Sequence, residues 1–256
     1  MPLAPLAGSA LLLDLDGTLL DLAPTPGSVV VPGALLRALQ RLKDRLGGAM
    51  AIISGRPIAQ IDALLPGLPF AVAGEHGGAF RHSPRSAVVR PDLPAVPPAW
   101  STAAQGAVAV QPGTWLEVKA RGLVFHYRAA PHAGPDLHRA ALSIVAAGSG
   151  FEVMPAAMAW EVRPRGADKG TALNTIMGHF PFMGRTPLFI GDDVTDWDAI
   201  RAAGALGGTG LLVGTAFGTP AAVRGWLAAA ARGGEWPAMP EPWRARKVSN
   251  LQPPYP

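Results

Sequence analysis

"LLLDLDGTLL" occupies residues 11–20. An apolar run this dense belongs inside a protein, and buried strands exclude carboxylates unless something offsets the charge. Yet Asp14 and Asp16 stand one residue apart at its centre, and Gly17 follows as a turn signal. One reading is a strand-end Asx turn closed by glycine. The other is a magnesium site, because Mg²⁺ takes hard oxygen ligands: one or two carboxylates, with phosphate and water completing the shell. Acids at i and i+2 of a strand point the same way, so both can address one small volume.

Outward from this stretch the chain alternates strands and helices. Residues 33–46, "GALLRALQRLKDRL", set Leu35, Leu39, Leu42 and Leu46 on one helical face, and Gly47 is the stop. "AMAIISGR" is a second buried strand, with Pro57 opening a helix, and "FAVAGEHGG" is a third strand with a glycine turn. This rhythm predicts a parallel sheet wrapped by helices. It breaks in the proline-dense 84–98, a connector. "WLEVKARGLVFHYR" then alternates as an antiparallel hairpin does: Glu117 and Lys119 oppose Leu116 and Val118, and His126 shares a strand face with Arg128. "MAWEVRP" repeats the habit with Glu161 and Arg163, and "PDLHRAALSIVAA" between them is helical. The α/β rhythm returns at 168 with "DKGTALNTIMGHF", then the strand "TPLFIGDD" and the helix "TDWDAIRAA", which Thr195 and Asp198 cap as a box. "GLLVG" and a helix capped by Thr219 and Pro220 follow. The fold class is α/β: a Rossmannoid core of 1–83 plus 168–256, and a small α+β insert over 99–167. Residues 236–256 are expected to form a loosely attached tail.

Ligands of open parallel sheets bind beyond the carboxyl ends of the strands. Those ends carry Asp14 and Asp16, Ser54, Glu75 and His76, and Asp192 and Asp193. Each has a plain reading when taken singly: Ser54 an N-cap, Lys169 a surface lysine, the 192–193 pair a helix cap. Three or four carboxylates meeting at one sheet edge, however, repel one another unless a cation lies among them.

The order "DLDGTL", "ISGR", a lysine after the insert and "GDD" resembles the four motifs of the haloacid dehalogenase superfamily. "GEHGG", "LEVKARGLVFHYR", "WEVRPRGADKG" and "FIGDDVTD" further resemble its trehalose-6-phosphate phosphatase family, over about residues 10–215. The resemblance implies hydrolysis of trehalose 6-phosphate, with Asp14 as nucleophile and Asp16 as acid–base. It implies Mg²⁺ on Asp14, the Asp16 carbonyl and Asp192, with Asp193 and Asp196 supporting that shell. Ser54 and Lys169 would hold the phosphoryl group. Gly55, Arg56, Glu75 and His76 would line the substrate. The insert becomes a cap whose Glu117, Lys119, Arg128 and Glu161 bind sugar hydroxyls, with His126 and Arg163 on the same faces. Without the family, that face reads first as a solvated charge ladder. One departure stands out: the family writes "GDDxTDE", and here Trp197 replaces the glutamate, with Asp198 one residue later.

Composition excludes other classes. The 256 residues suit one or two domains. No cysteine is present, which removes disulfides, thiol catalysis and thiolate-bound zinc. A net charge of +4 without any Lys/Arg run gives no nucleic-acid stripe. No apolar run reaches membrane-spanning length and the N-terminus lacks a signal-peptide pattern, so a soluble cytoplasmic protein with a small-molecule partner is expected. A monomer is the simplest state. The competing readings are a phosphatase of sucrose or hexose phosphates, and a catalytically silent sugar-phosphate-binding regulatory domain.

Overall fold

The structure is a computed structural model and describes residues 3–23, 28–68, 71–146, 150–156 and 158–239. Its elements begin with β1 (Ser9–Leu13), α1 (Gly33–Arg45), β2 (Met50–Ile53), α2 (Ile58–Leu64), β3 (Ala71–Gly74) and β4 (Ala79–Arg81). The middle of the chain forms α3 (Pro98–Ala109), β5 (Trp115–Val118), β6 (Leu123–His126), α4 (Gly134–Ala146), β7 (Phe151–Ala156) and β8 (Ala159–Pro164). The last part adds α5 (Lys169–Met177), β9 (Thr186–Gly191), α6 (Trp197–Ala205), β10 (Thr209–Leu212), α7 (Val213–Ala216) and α8 (Pro220–Gly233). The chain divides into two compact units, Met1–Arg90 with Asp168–Pro256, and Pro91–Ala167.

The first unit is built on a six-stranded sheet of order β10-β9-β1-β2-β3-β4. Its first five strands are parallel, and β4 closes the edge antiparallel to β3. Strand β1 is central because all five of its residues are buried, which only a strand covered on both faces tolerates. The chain leaves β1 toward β2 on one side and returns as β9 on the other. That reversal is a topological switch point, where the carboxyl ends of neighbouring strands leave a crevice. Helix α1 packs on α8, and α5 on α6. Leucines carry much of the core: Leu11, Leu12, Leu13, Leu39 and Leu42 are fully buried. Each contributes about 1.5–3 kcal/mol by leaving water.

The second unit is an antiparallel sheet of order β5-β6-β8-β7. Helices α3 and α4 cover it, burying Trp100, Val108, Phe125, Leu137, Phe151 and Val162 in one core. The Trp100 and Phe151 rings meet edge to face at 4.9 Å. The parity of the strands puts Leu123, Phe125 and Val162 on the helix-covered side and the polar residues on the other.

Several expectations need correction. Helix α3 lies in a stretch that carried no predicted element. The connector is partly ordered, because Val89 exchanges both backbone hydrogen bonds with Phe80 at 2.7 Å. Thr195 does not cap the fourth-motif helix. Asp196 stands at the N-cap of that helix without a side-chain cap bond, and Asp193 caps the short turn Val194–Asp196 before it, accepting from Val194 N at 2.6 Å, while Asp196 accepts from Asp193 N at 2.9 Å. The start of the tail is anchored: Trp236 stacks on Trp226 at 5.1 Å and donates to Ser9 Oγ at 3.2 Å, and Met239 is buried. The rest of the tail, 240–256, lies outside the described residues.

Candidate active site

Strand register aligns the chemistry. Leu13 pairs with Ile52 and with Ile190, so Asp14, Ser54 and Asp192 leave β1, β2 and β9 at neighbouring carboxyl ends. Asp14 stays tied to the sheet through its N–H, which donates to Ile190 O at 2.9 Å. Lys169 opens α5, whose cap is Asp168, accepting from Thr171 N at 2.8 Å. Gly170 allows α5 to sit against α6, since a Cβ there would meet Asp198 O at 2.7 Å.

Lys169 is 3% exposed and bridges two acids, reaching Asp14 Oδ1 at 2.7 Å and Asp196 Oδ1 at 2.6 Å. The other Asp196 oxygen accepts from the N–H groups of Asp192 and Asp193, both at 2.9 Å. Asp196 is therefore fully committed to holding the loop and the lysine. Thr18, absent from the sequence-based set, places its hydroxyl 3.3 Å from Asp14 Oδ2 and 3.2 Å from Asp192 Oδ1. The only sequence signal for it was its place two residues after Asp16.

Gly17 explains the turn in the opening stretch. Its φ is +73°, and a Cβ would lie 2.0 Å from Asp192 Oδ2. Glycine is needed there both for the left-handed backbone and for the space that brings the second acid in. Gly191 leaves space in the same way beneath Asp196, whose Cγ would lie 2.3 Å from an added Cβ.

The electrostatics are those of crowded carboxylates. Burial raises Asp14 well above the usual carboxylate range; Lys169 pulls it back, and Asp196 and Asp192 push it further up. Asp192 is pushed up to about 6, first by burial and then by Asp196. Burial pulls the Lys169 ammonium down, but Asp14 and Asp196 outweigh it, and it lies above the ordinary lysine value. Asp14, Asp192 and Asp196 each offer an oxygen within 4.8 Å of the others. With Asp196 committed, Asp14 Oδ2 and Asp192 are the oxygens that remain for a cation. Hard, charged and close, they fit a divalent metal ion.

A second cluster adjoins the first through Arg56. Its guanidinium forks onto Asp16, Nε to Oδ2 at 2.6 Å and Nη2 to Oδ1 at 2.7 Å, a bidentate geometry that fixes both groups. Ser54, 2% exposed, accepts from Arg56 N through Oγ at 3.2 Å. Glu75 and His76 both have left-handed backbone, φ 54° and 55°. Two successive non-glycine residues in that region are strained. They are held by Glu75 N donating to Arg56 O at 3.1 Å and His76 N to Ser54 O at 3.0 Å. The His76 ring lies against Gly55, where a Cβ would be 2.4 Å from Nε2. Glu75 itself takes both of its ion-pair bonds from Arg90, at 2.7 and 2.8 Å.

In the second unit, Glu117, His126, Glu161 and Arg163 share the sheet face away from the helices. Lys119 Nζ donates to Glu161 Oε1 at 2.8 Å, and His126 Nε2 lies 3.0 Å from Glu117 Oε2. The His126 contact, above all, holds Glu117 below its ordinary value. Arg163 is buried and donates to Glu152 at 2.9 Å, a cross-strand partner invisible in the sequence pattern. Arg128 is exposed and lies in the turn after β6, not on the strand face beside His126. Trp197 is buried in the first unit's core, and Asp198 pairs with Arg201 one turn on.

A switch-point cluster of acids and one lysine on a Rossmannoid sheet, interrupted by an α+β insert, defines a haloacid-dehalogenase-like hydrolase. The trehalose-phosphatase family profile matches residues 12–212. The chain is 37% identical over 204 residues to the trehalose-6-phosphate phosphatase of Escherichia coli (strain K12), covering 79% of this chain and 76% of that protein. It is also 37% identical over 206 residues to a probable trehalose-phosphate phosphatase of Sinorhizobium fredii, covering 80% and 77%. Among solved structures, the C-terminal domain of the C. albicans trehalose-6-phosphate phosphatase shares the fold at a TM-score of 0.75 and 21% identity, covering 88% of this chain and 92% of that one. The chain belongs to the trehalose-phosphatase family.

Proposed function

We propose that this chain hydrolyses trehalose 6-phosphate to trehalose and phosphate through Asp14. The observation that carries the reading is the buried Lys169, locked between Asp14 and Asp196 beside Asp192. A buried cation among crowded acids is costly as mere scaffolding, and it suits a site that must accept a dianionic phosphoryl group.

An Asp14 oxygen attacks phosphorus, and the bond from phosphorus to the sugar oxygen breaks. Asp16 gives that oxygen its proton, so the sugar leaves as an alcohol and the phosphoryl group stays on Asp14. Asp16 then takes a proton from water as the water oxygen attacks phosphorus, which releases phosphate and restores Asp14. Both oxygens of Asp16 are occupied by Arg56 in the state described, so that fork opens before Asp16 exchanges a proton with substrate. Lys169 and the Ser54 hydroxyl balance the charge on the phosphoryl oxygens. Asp14, Asp192 and the Asp16 carbonyl would hold Mg²⁺, which supplies further neutralisation of those oxygens.

The second unit serves as the cap in this reading, with Glu117, Lys119 and Glu161 bonding sugar hydroxyls. Two carboxylates and an ammonium pre-aligned on one face support that role. The silent regulatory alternative would call for a missing nucleophile or acid, and Asp14, Asp16, Lys169 and Asp192 are all present. Among the described residues no helix is long and apolar enough to cross a membrane. A monomeric cytoplasmic enzyme belongs to the same proposal.

Phosphate release across trehalose 6-phosphate, sucrose 6-phosphate and glucose 6-phosphate tests the substrate. The highest kcat/KM is expected on trehalose 6-phosphate; a preference for either of the others overturns the assignment.

A further inference from the structure

One large side chain on the polar face of the second unit has no part in the mechanism above. Trp115 begins the edge strand β5 and is 54% exposed. Leaving an indole this open is unfavourable, and pairing two strands does not require it. Its ring stacks on that of His126, its cross-strand partner, at 3.8 Å with 8° between the planes. His126 is fixed in turn by Glu117 Oε2 at 3.0 Å. One indole face is thus covered and its orientation set, so the exposure lies on the opposite face and the rim.

The neighbourhood gives this plate a meaning. Glu117 follows Trp115 on the same strand face, and Lys119 and Glu161 form their ion pair on that face too. A pyranose is amphipathic: its rim carries hydroxyls, while its C–H faces are apolar. A flat aromatic surface beside carboxylates and an ammonium matches both halves of that chemistry, and a rigid two-torsion side chain loses little entropy on binding. We propose that Trp115 is a stacking platform for a pyranose ring of the substrate and a specificity-determining residue of this chain. The proposal rests on the sugar-reading role proposed above for this face.

The test is steady-state kinetics of the parent, Trp115→Ala and Trp115→Phe on trehalose 6-phosphate and on acetyl phosphate, which has no ring to stack. Trp115→Ala is expected to lose about three- to tenfold in kcat/KM on trehalose 6-phosphate, chiefly through KM. Its acetyl phosphate activity should be unchanged, which also shows that the variant is folded. Trp115→Phe should recover most of the loss. Unchanged trehalose 6-phosphate kinetics in Trp115→Ala, or equal losses on both substrates, overturns the platform and leaves Trp115 a strand-pairing residue. If the parent prefers another sugar phosphate, the substrate assignment fails separately, and the same comparison on that sugar phosphate still decides the role of Trp115.

Discussion

At the scale of the residue, the site depends on what glycine permits and what lysine balances. Asp14 and Asp192 come together because nothing projects from Gly17 between them. Gly17→Ala introduces a Cβ 2.0 Å from Asp192 Oδ2 and holds alanine at φ +73°. We expect kcat to fall by about tenfold or more as Asp192 shifts, with a stability loss of about 1–2 kcal/mol from the backbone. Phosphate release and urea unfolding read the two effects, and full activity in this variant would mean that Asp192 has no fixed place over Gly17. The two acids of "DLDG" were conspicuous in the sequence because carboxylates do not belong in a leucine run. Thr18 was not, since a threonine beside an acid has no such contrast, and only the fold brings its hydroxyl to Asp192 as well as Asp14. Asp193 and Asp196 looked alike in "GDDVTD". Backbone geometry separates them: Asp193 caps the turn, and Asp196 carries Lys169.

At the scale of the element, strands buried on both faces were the most legible. The runs around Leu11–Leu13, Ala51–Ile53 and Leu188–Ile190 are apolar without alternation, which is what a central parallel strand needs. Leu12 has no exposed surface. Leu12→Ala is expected to cost about 2–5 kcal/mol in urea unfolding; a loss under about 1 kcal/mol would mean that β1 is not the packed centre of the sheet. Helix α3 was illegible for the opposite reason. Its buried positions Trp100, Ala104 and Val108 are spaced by four, but alanines such as Ala99, Ala103 and Ala109 also occupy the outer face, so no stripe stands out. Strand β7 hid likewise behind a pattern interrupted by Pro155, and the ion pair of its Glu152 with Arg163 depends on a register that sequence alone does not fix.

At the scale of the whole molecule, the change of rhythm from parallel α/β to alternating hairpin was readable because the two periodicities differ in kind. The exact point of change was not, since the chain divides at Arg90, within the proline-dense segment, where composition has no edge. The anchoring of Trp236 on Trp226 and Ser9 depends on partners more than two hundred residues apart along the chain for the second contact, and no local pattern announces it. What the fold accomplishes as a whole is to carry four separated motifs to one sheet edge and leave Asp14 facing a cation-balanced crevice. The most direct test of that claim is phosphate release from trehalose 6-phosphate by the Asp14→Asn variant beside the parent, with circular dichroism on both. Asparagine keeps an acceptor oxygen for Lys169 and removes one of three crowded charges, so the variant should fold as the parent does while turnover is lost. Appreciable turnover by a folded Asp14→Asn variant would contradict the assignment of Asp14 as nucleophile.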